Sequence, residues 1–358
     1  MKRRESWIDS LKGLLILVVI MPHCGLYDLP GKVGVLCGFG RYFILPFFII
    51  SSYLSFGSYR RYLSEEKTWS EWLLHRIIRL CPLYFIALSL AFFMGGRSFW
   101  LGSEQGISFF NVLTHLTFTN GFFPYYCNSI LGVEWYIAAL VIFYLFVPLL
   151  SKLVNSFERS IILFLGSVFI SSFLIRIVVR HFAALEMDVV VRYFQQFSFW
   201  AEIPILSMGI CLYYAKPFLN RLREKNNRVL AIVILVSSLI LLYGQAFSKS
   251  YLYRIEELYL SGLFFFGLVL AFFIGNFRVL SNPALAFIGK HSFPIYLFHI
   301  LLVDCFDWVS KGLSMSVCPE CIVPIVKYLV VLIFSIVLSV ISVKYVEHPV
   351  IKFLERNR

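Results

Sequence analysis

Nearly uninterrupted apolar runs recur along this chain, and they restrict its fold more than any other feature. Leu14–Met21, Phe43–Ile50, Ile137–Leu150, Val229–Leu242 and Leu329–Val343 are the clearest of them. With their flanks, several reach the roughly 20 residues that carry a helix across the hydrocarbon core of a bilayer. Backbone N–H and C=O groups in lipid must be satisfied within the protein, so only helices or a closed barrel can span. The runs are continuous rather than alternating, which selects helices over a barrel. Composition agrees: 59% of the 358 residues are hydrophobic and 15% charged, against roughly 45–50% and 25% in soluble domains.

These runs predict an all-α polytopic bundle of about ten spans, at roughly 7–25, 37–57, 73–95, 132–151, 159–178, 198–215, 229–246, 258–275, 285–303 and 323–344. The formal charge of +12 does not form one basic face, as a nucleic-acid partner would need. Lys and Arg instead gather at alternate ends of the spans. Arg60, Arg61, Lys67, Lys152, Arg159 and the Lys216–Arg228 cluster share one side. By the positive-inside rule both termini are expected in the cytoplasm. Met1-Lys-Arg-Arg followed by an apolar run has the outline of a signal peptide. Asp9 and Lys12 interrupt that run, however, and Met21-Pro-His23 is no small-residue cleavage site, so the segment reads as a retained first span. A single membrane domain over 1–358 is expected, with no appended soluble domain and no metal site. Cys318-Pro-Glu-Cys321 is the one close cysteine pair. It reads as two loop thiols, bridged if the loop faces an oxidising compartment.

Ionisable groups inside a bilayer cost about 2.5–3.5 kcal/mol each on insertion scales, so they mark sites by default. The first span holds Asp9, Lys12 and His23. Lys12 and His23 are eleven residues apart, which is three helical turns, so they share a face about 16 Å apart along the axis. Arg76 and Arg79 present two guanidinium forks at i and i+3, a pattern suited to phosphate. Glu134 opens the fourth span and His299 closes the ninth, both expected on the outer side with His23. An acid and a histidine there can share proton transfer, while the bland alternative for Glu134 is a solvated carboxylate favoured by the helix dipole. His115 and His181 fall in outer loops and carry no signal. The outer segment 96–131 is rich in aromatics, among them Trp100, Phe109, Phe110 and Phe118. It suits either a membrane-surface anchor or a cover over a cavity mouth.

Five fragments in order resemble the acyltransferase-3 family of integral membrane acyltransferases, over essentially the full length. They are Ile8-Asp-Ser-Leu-Lys12 with His23, and Arg76-Ile-Ile-Arg79-Leu80 with Pro82 and Tyr84. Trp135 with Phe143-Tyr144 and Pro148 follows, then Ile288-Gly-Lys-His-Ser-Phe293 with Tyr296-Leu-Phe-His299. Tyr345-Val-Glu347 with Pro349 completes the set. Two positions depart from the family pattern: lysine stands at Lys12 where arginine is usual, and Leu140 where a glutamate is frequent. The resemblance implies an acyl-coenzyme A donor, acetyl being the expected group, and no permanently bound cofactor. It implies a glycan or related hydroxyl acceptor and a bacterial inner-membrane location. His23 would be the general base, with Glu134 and His299 orienting groups, while Lys12, Arg76 and Arg79 would hold the donor. The rival reading is a transporter or flippase whose charges line a substrate path. A third is a degenerate family member acting as a binding or assembly subunit.

Overall fold

The computed structural model describes residues 6–96, 106–248, 254–275, 277, 282–312 and 322–356. Among them there are helices and turns and no strand. In chain order the helices are α1 (Ser6–His23), α2 (Gly31–Phe39), α3 (Leu45–Ser64), α4 (Trp69–Phe93), α5 (Phe109–Leu116), α6 (Trp135–Leu153), α7 (Phe157–Ala183), α8 (Asp188–Phe197), α9 (Phe199–Glu224), α10 (Arg228–Phe247), α11 (Arg254–Gly275), α12 (Pro283–Lys290), α13 (Ser292–Gly312), α14 (Ile322–Ser342) and α15 (His348–Arg356). Nine helical segments among the described residues are long and apolar enough to cross a membrane. The predicted first span, α1, stands beside them as an 18-residue helix. The cysteines of the 318–321 pair, and Trp100, lie outside the described residues.

Among the described residues, side-chain caps mark the starts of four of the fifteen helices, α4, α5, α7 and α12. Thr68 caps α4 by accepting the Glu71 N–H, and Glu71 accepts the Thr68 N–H in return at 3.0 Å, a capping box. Ser108, Ser156 and Asn282 cap α5, α7 and α12 with their side chains. The ninth predicted span, 285–303, needs correction. It divides into the short α12 and the membrane-length α13, with His291 between them at φ −96°, ψ 5°. Pro294 is the cause: it lacks the N–H that would bond to the Lys290 carbonyl, and its ring crowds that group. His299 therefore sits within α13, about 10 Å from its start at 1.5 Å per residue, rather than at the end of a span.

The chain forms two compact units, Met1–Phe47 with Leu219–Lys249 and Leu263–Arg358, and Phe48–Phe218 with Ser250–Gly262. The first is built on α1. Trp7, Ile8, Leu11, Leu15, Ile16 and Ile20 are at most 3% exposed, which is the mark of a helix surrounded by protein rather than lipid. α12 lies antiparallel against it. A Cβ at Gly289 would strike the Asp9 carbonyl, and one at Gly13 would strike that of Leu285. Small residues permit this close backbone approach. Trp7 meets Phe273 of α11 at 5.3 Å between ring centroids, and Tyr328 of α14 donates to the Leu17 carbonyl at 3.1 Å. Lys327 of α14 is almost buried and bonds both carboxylate oxygens of Asp307 on α13, at 2.6 and 2.8 Å.

In the second unit α4 and α6 run antiparallel: Trp72, early in α4, meets Tyr144, midway along α6, at 5.7 Å, and Tyr84, twelve residues further along α4, lies within electrostatic reach of Glu134 at the start of α6. Ser52 of α3 donates to the Leu206 carbonyl of α9 at 2.6 Å. The hydroxyls of Ser167 on α7 and Ser207 on α9 are 3.3 Å apart. α7 turns Ile162, Leu165, Phe169 and Phe173 outward, a lipid-facing stripe.

Candidate functional site

Lys12, His23 and His299 belong to the first unit, and Arg76, Arg79 and Glu134 to the second. In the first unit the structure brings two histidines together. The last residue of α1, His23, is half-buried, and its ring stands edge-on to that of His299, 5.0 Å between centroids and 66° between planes. His299 is fully buried and its Nδ1 is 2.7 Å from the Tyr296 carbonyl oxygen. A carbonyl only accepts, so Nδ1 carries a proton. Lys12, half-buried, lies three turns before His23 on the same helix. The α1–α12 glycine contacts hold this stretch of α1 at a fixed depth.

The two arginines differ in environment. Arg76 is half-buried and donates to the Ser58 hydroxyl and, at 3.3 Å, to the Leu54 carbonyl. Its guanidinium lies 5.6 Å from the Trp72 ring centre and 5.9 Å from that of Tyr144. Aromatic faces and hydroxyls thus hold Arg76 in place. Arg79 is exposed. With Arg61 it lies within electrostatic reach of Arg76, so three positive charges gather where one fork is anchored and one is open. This patch and Glu134 are separated in depth. Tyr144, beside Arg76, is ten residues along α6 from Glu134, about 15 Å.

Glu134 is not the solvated carboxylate of the bland expectation, since it has no exposed surface. One oxygen accepts from the Ile130 N–H at 2.9 Å and faces His115 Nε2 at 3.1 Å; the other accepts from the Gly132 N–H at 2.5 Å. The Nδ1 of His115 is 2.8 Å from the Asn111 carbonyl oxygen, and its own carbonyl accepts from the Tyr84 hydroxyl at 3.1 Å. Both ring nitrogens therefore face acceptors, which calls for an imidazolium against a carboxylate. The pair clamps the 106–134 segment onto α4 and α6. Its helix α5 is inverted in polarity: Asn111, Thr114 and His115 are buried while Phe109, Phe110, Leu113 and Leu116 are exposed. Nearby, burial and then the charge of Glu134 push the Cys127 thiol up, so it is held as an unreactive thiol rather than a nucleophile. Sequence reasoning passed over His115. The one available signal was its i+4 spacing from Asn111 on a helix whose other face is apolar.

Leu140, where the resemblance leads one to look for a glutamate, is buried in α6. Among the described residues no group of three or more His, Cys, Asp or Glu side chains is arranged to hold a metal ion. α6, α7 and α9 line a half-open pocket of about 510 Å³, with Phe143, Phe146, Ile170, Phe199 and Ile203 among its walls. Its walls are too apolar to receive phosphate. Residues 5–344 match the acyltransferase-3 family model, described as an acyltransferase domain. No curated protein and no solved structure matches the chain.

Proposed function

Because the chain belongs to the acyltransferase-3 family, and so is a multi-pass membrane acyltransferase, we propose that it transfers an acyl group from acyl-coenzyme A to a hydroxyl of a glycan or related acceptor. Acetyl is the proposed group and the bacterial inner membrane the proposed location, with both termini cytoplasmic. The observation that carries the reading is the His23–His299 pair, 5.0 Å between ring centroids, at the end of α1. His23 takes the proton of the acceptor hydroxyl as its oxygen attacks the thioester carbonyl. The tetrahedral intermediate expels the coenzyme A thiolate, which leaves as the thiol with that proton, and an ester remains. His299, its Nδ1–H held by the Tyr296 carbonyl, positions His23. Glu134 is held in place by His115 and by the Ile130 and Gly132 N–H groups. For the donor, Arg79 offers an open fork to phosphate and Arg76 an anchored one. Lys12 offers an ammonium to polar groups of the donor, with the point-charge geometry of lysine in place of a fork.

The test uses membranes containing the protein, labelled acetyl-coenzyme A and a panel of glycan acceptors. His23→Ala is expected to lower label transfer by about 10²–10⁴-fold, the usual contribution of a general base. Full transfer by His23→Ala would remove His23 from the chemistry. No transfer by the unmodified protein to any acceptor would remove the glycan reading and favour transport.

A further inference from the structure

Glu202 lies in the first turn of α9, inside a helical segment long and apolar enough to cross a membrane. It has no exposed surface, and among the described residues neither carboxylate oxygen has a hydrogen-bond partner. No motif in the sequence singles it out. An ionised carboxylate so placed has lost its hydration and gained no donor or counter-ion, and such a group neutralises by keeping its proton.

Hydroxyl groups of α7 and α11 surround this turn of α9. Tyr259 of α11 lies within electrostatic reach of both Glu202 and Glu256. Its hydroxyl donates to Ser171 of α7 at 2.8 Å, and Ser171 in turn donates to the Trp200 carbonyl of α9. Ser261 of α11 is fully buried, and its hydroxyl also has no partner among the described residues. α9 and α11 pack against each other here: a Cβ at Gly262 would strike the end of the Ile205 side chain. Towards the surface Glu256 pairs with Arg176 of α7, whose side chain is 52% exposed. Among the described residues, the charged and titratable groups shown to interact here are Tyr259, Glu256 and Arg176. None of them hydrogen-bonds Glu202.

We infer that Glu202 is a proton-binding site within the membrane-spanning part of the second unit, neutral at rest, and that Tyr259, which lies within electrostatic reach of both Glu202 and Glu256, mediates exchange of its proton towards the Glu256–Arg176 pair. The inference needs no acyl donor and stands apart from the acyl-transfer reading. An ion-pathway role is the usual meaning of such a group in a membrane protein.

The full chain in lipid nanodiscs, without donor or acceptor, is examined by infrared spectroscopy at about pH 8, well above the ordinary glutamate value near 4.3. A carboxylic-acid C=O band that shifts in heavy water is expected, and Glu202→Gln should abolish it. Absence of any such band in the unmodified protein overturns the inference without recourse to a variant. So does a Glu202→Gln difference spectrum that loses carboxylate bands instead. Tyr259→Phe should keep the band but slow its shift in heavy water, and an unchanged rate removes Tyr259 from the exchange.

Discussion

Removing the carboxylate of Glu134 tests whether the buried pair with His115 is the clamp that closes the 106–134 segment. Glu134→Ala strands three donors, the N–H groups of Ile130 and Gly132 and the Nε2–H of His115, all at a site without exposed surface. Breaking a buried ion pair by deleting one partner costs about 3–5 kcal/mol. The same range follows from three orphaned donors at about 1–3 kcal/mol each, with partial relaxation. Cys127 lies in the same segment and is fully buried, so its reaction with a maleimide, mapped by peptide mass spectrometry, reports local opening. If closing is faster than labelling, that loss raises the Cys127 rate by roughly 100-fold to several thousand-fold, at 1.4 kcal/mol per tenfold. Glu134→Gln keeps one acceptor: with its oxygen towards the Gly132 N–H its NH₂ can donate to a neutral His115, but that NH₂ then faces the Ile130 N–H and strands it. One orphaned donor costs about 1–3 kcal/mol, so the rate should rise by about 5- to 100-fold, less than for Glu134→Ala. A Glu134→Ala rate within about tenfold of the unmodified protein, the cost of a single net hydrogen bond, would refute the clamp.

Gly289→Ala places a methyl against the Asp9 carbonyl and should cost about 1–3 kcal/mol or more. Gly166→Ala, with nothing within 4 Å, should not lower the thermal midpoint in detergent. Asp307→Asn strands the largely buried Lys327 ammonium and should cost about 3 kcal/mol, whereas Lys327→Met leaves a half-exposed carboxylate and costs less. Equal losses in denaturation would contradict that asymmetry. Thr68→Ala removes the α4 capping box at about 1 kcal/mol, measured as faster amide exchange confined to the first turn of that helix.

The residues named as a site were legible where chemistry and spacing coincide on one helix. Lys12 with His23, and Arg76 with Arg79, follow from 100° per residue and need no tertiary information. The His23–His299 approach was legible only as two outer-side candidates, because nearly 280 residues separate them and periodicity carries no long-range distance. Glu134 shows the opposite failure. A glutamate one residue before a helix reads as solvated, and only the folded segment above it reveals a buried ion pair with His115. Glu202 was lost among apolar neighbours because one acidic residue near a span end has an ordinary interfacial explanation.

The sequence by itself determined that this chain must fold as membrane-spanning helices, since continuous apolar runs leave the backbone no other way to satisfy its polar groups. It also set where α4, α5, α7 and α12 begin, because side-chain caps act locally. Tertiary structure decided which helix is sheathed in protein: α1 is as apolar as its neighbours, yet packing against α12 through Gly13 and Gly289 takes it out of lipid contact. It also decided which charges are paired. Asp307 with Lys327, Glu134 with His115 and Glu256 with Arg176 each join residues from different parts of the chain. Burial raises the stakes of such pairings, and only three-dimensional proximity says whether a buried charge has a partner.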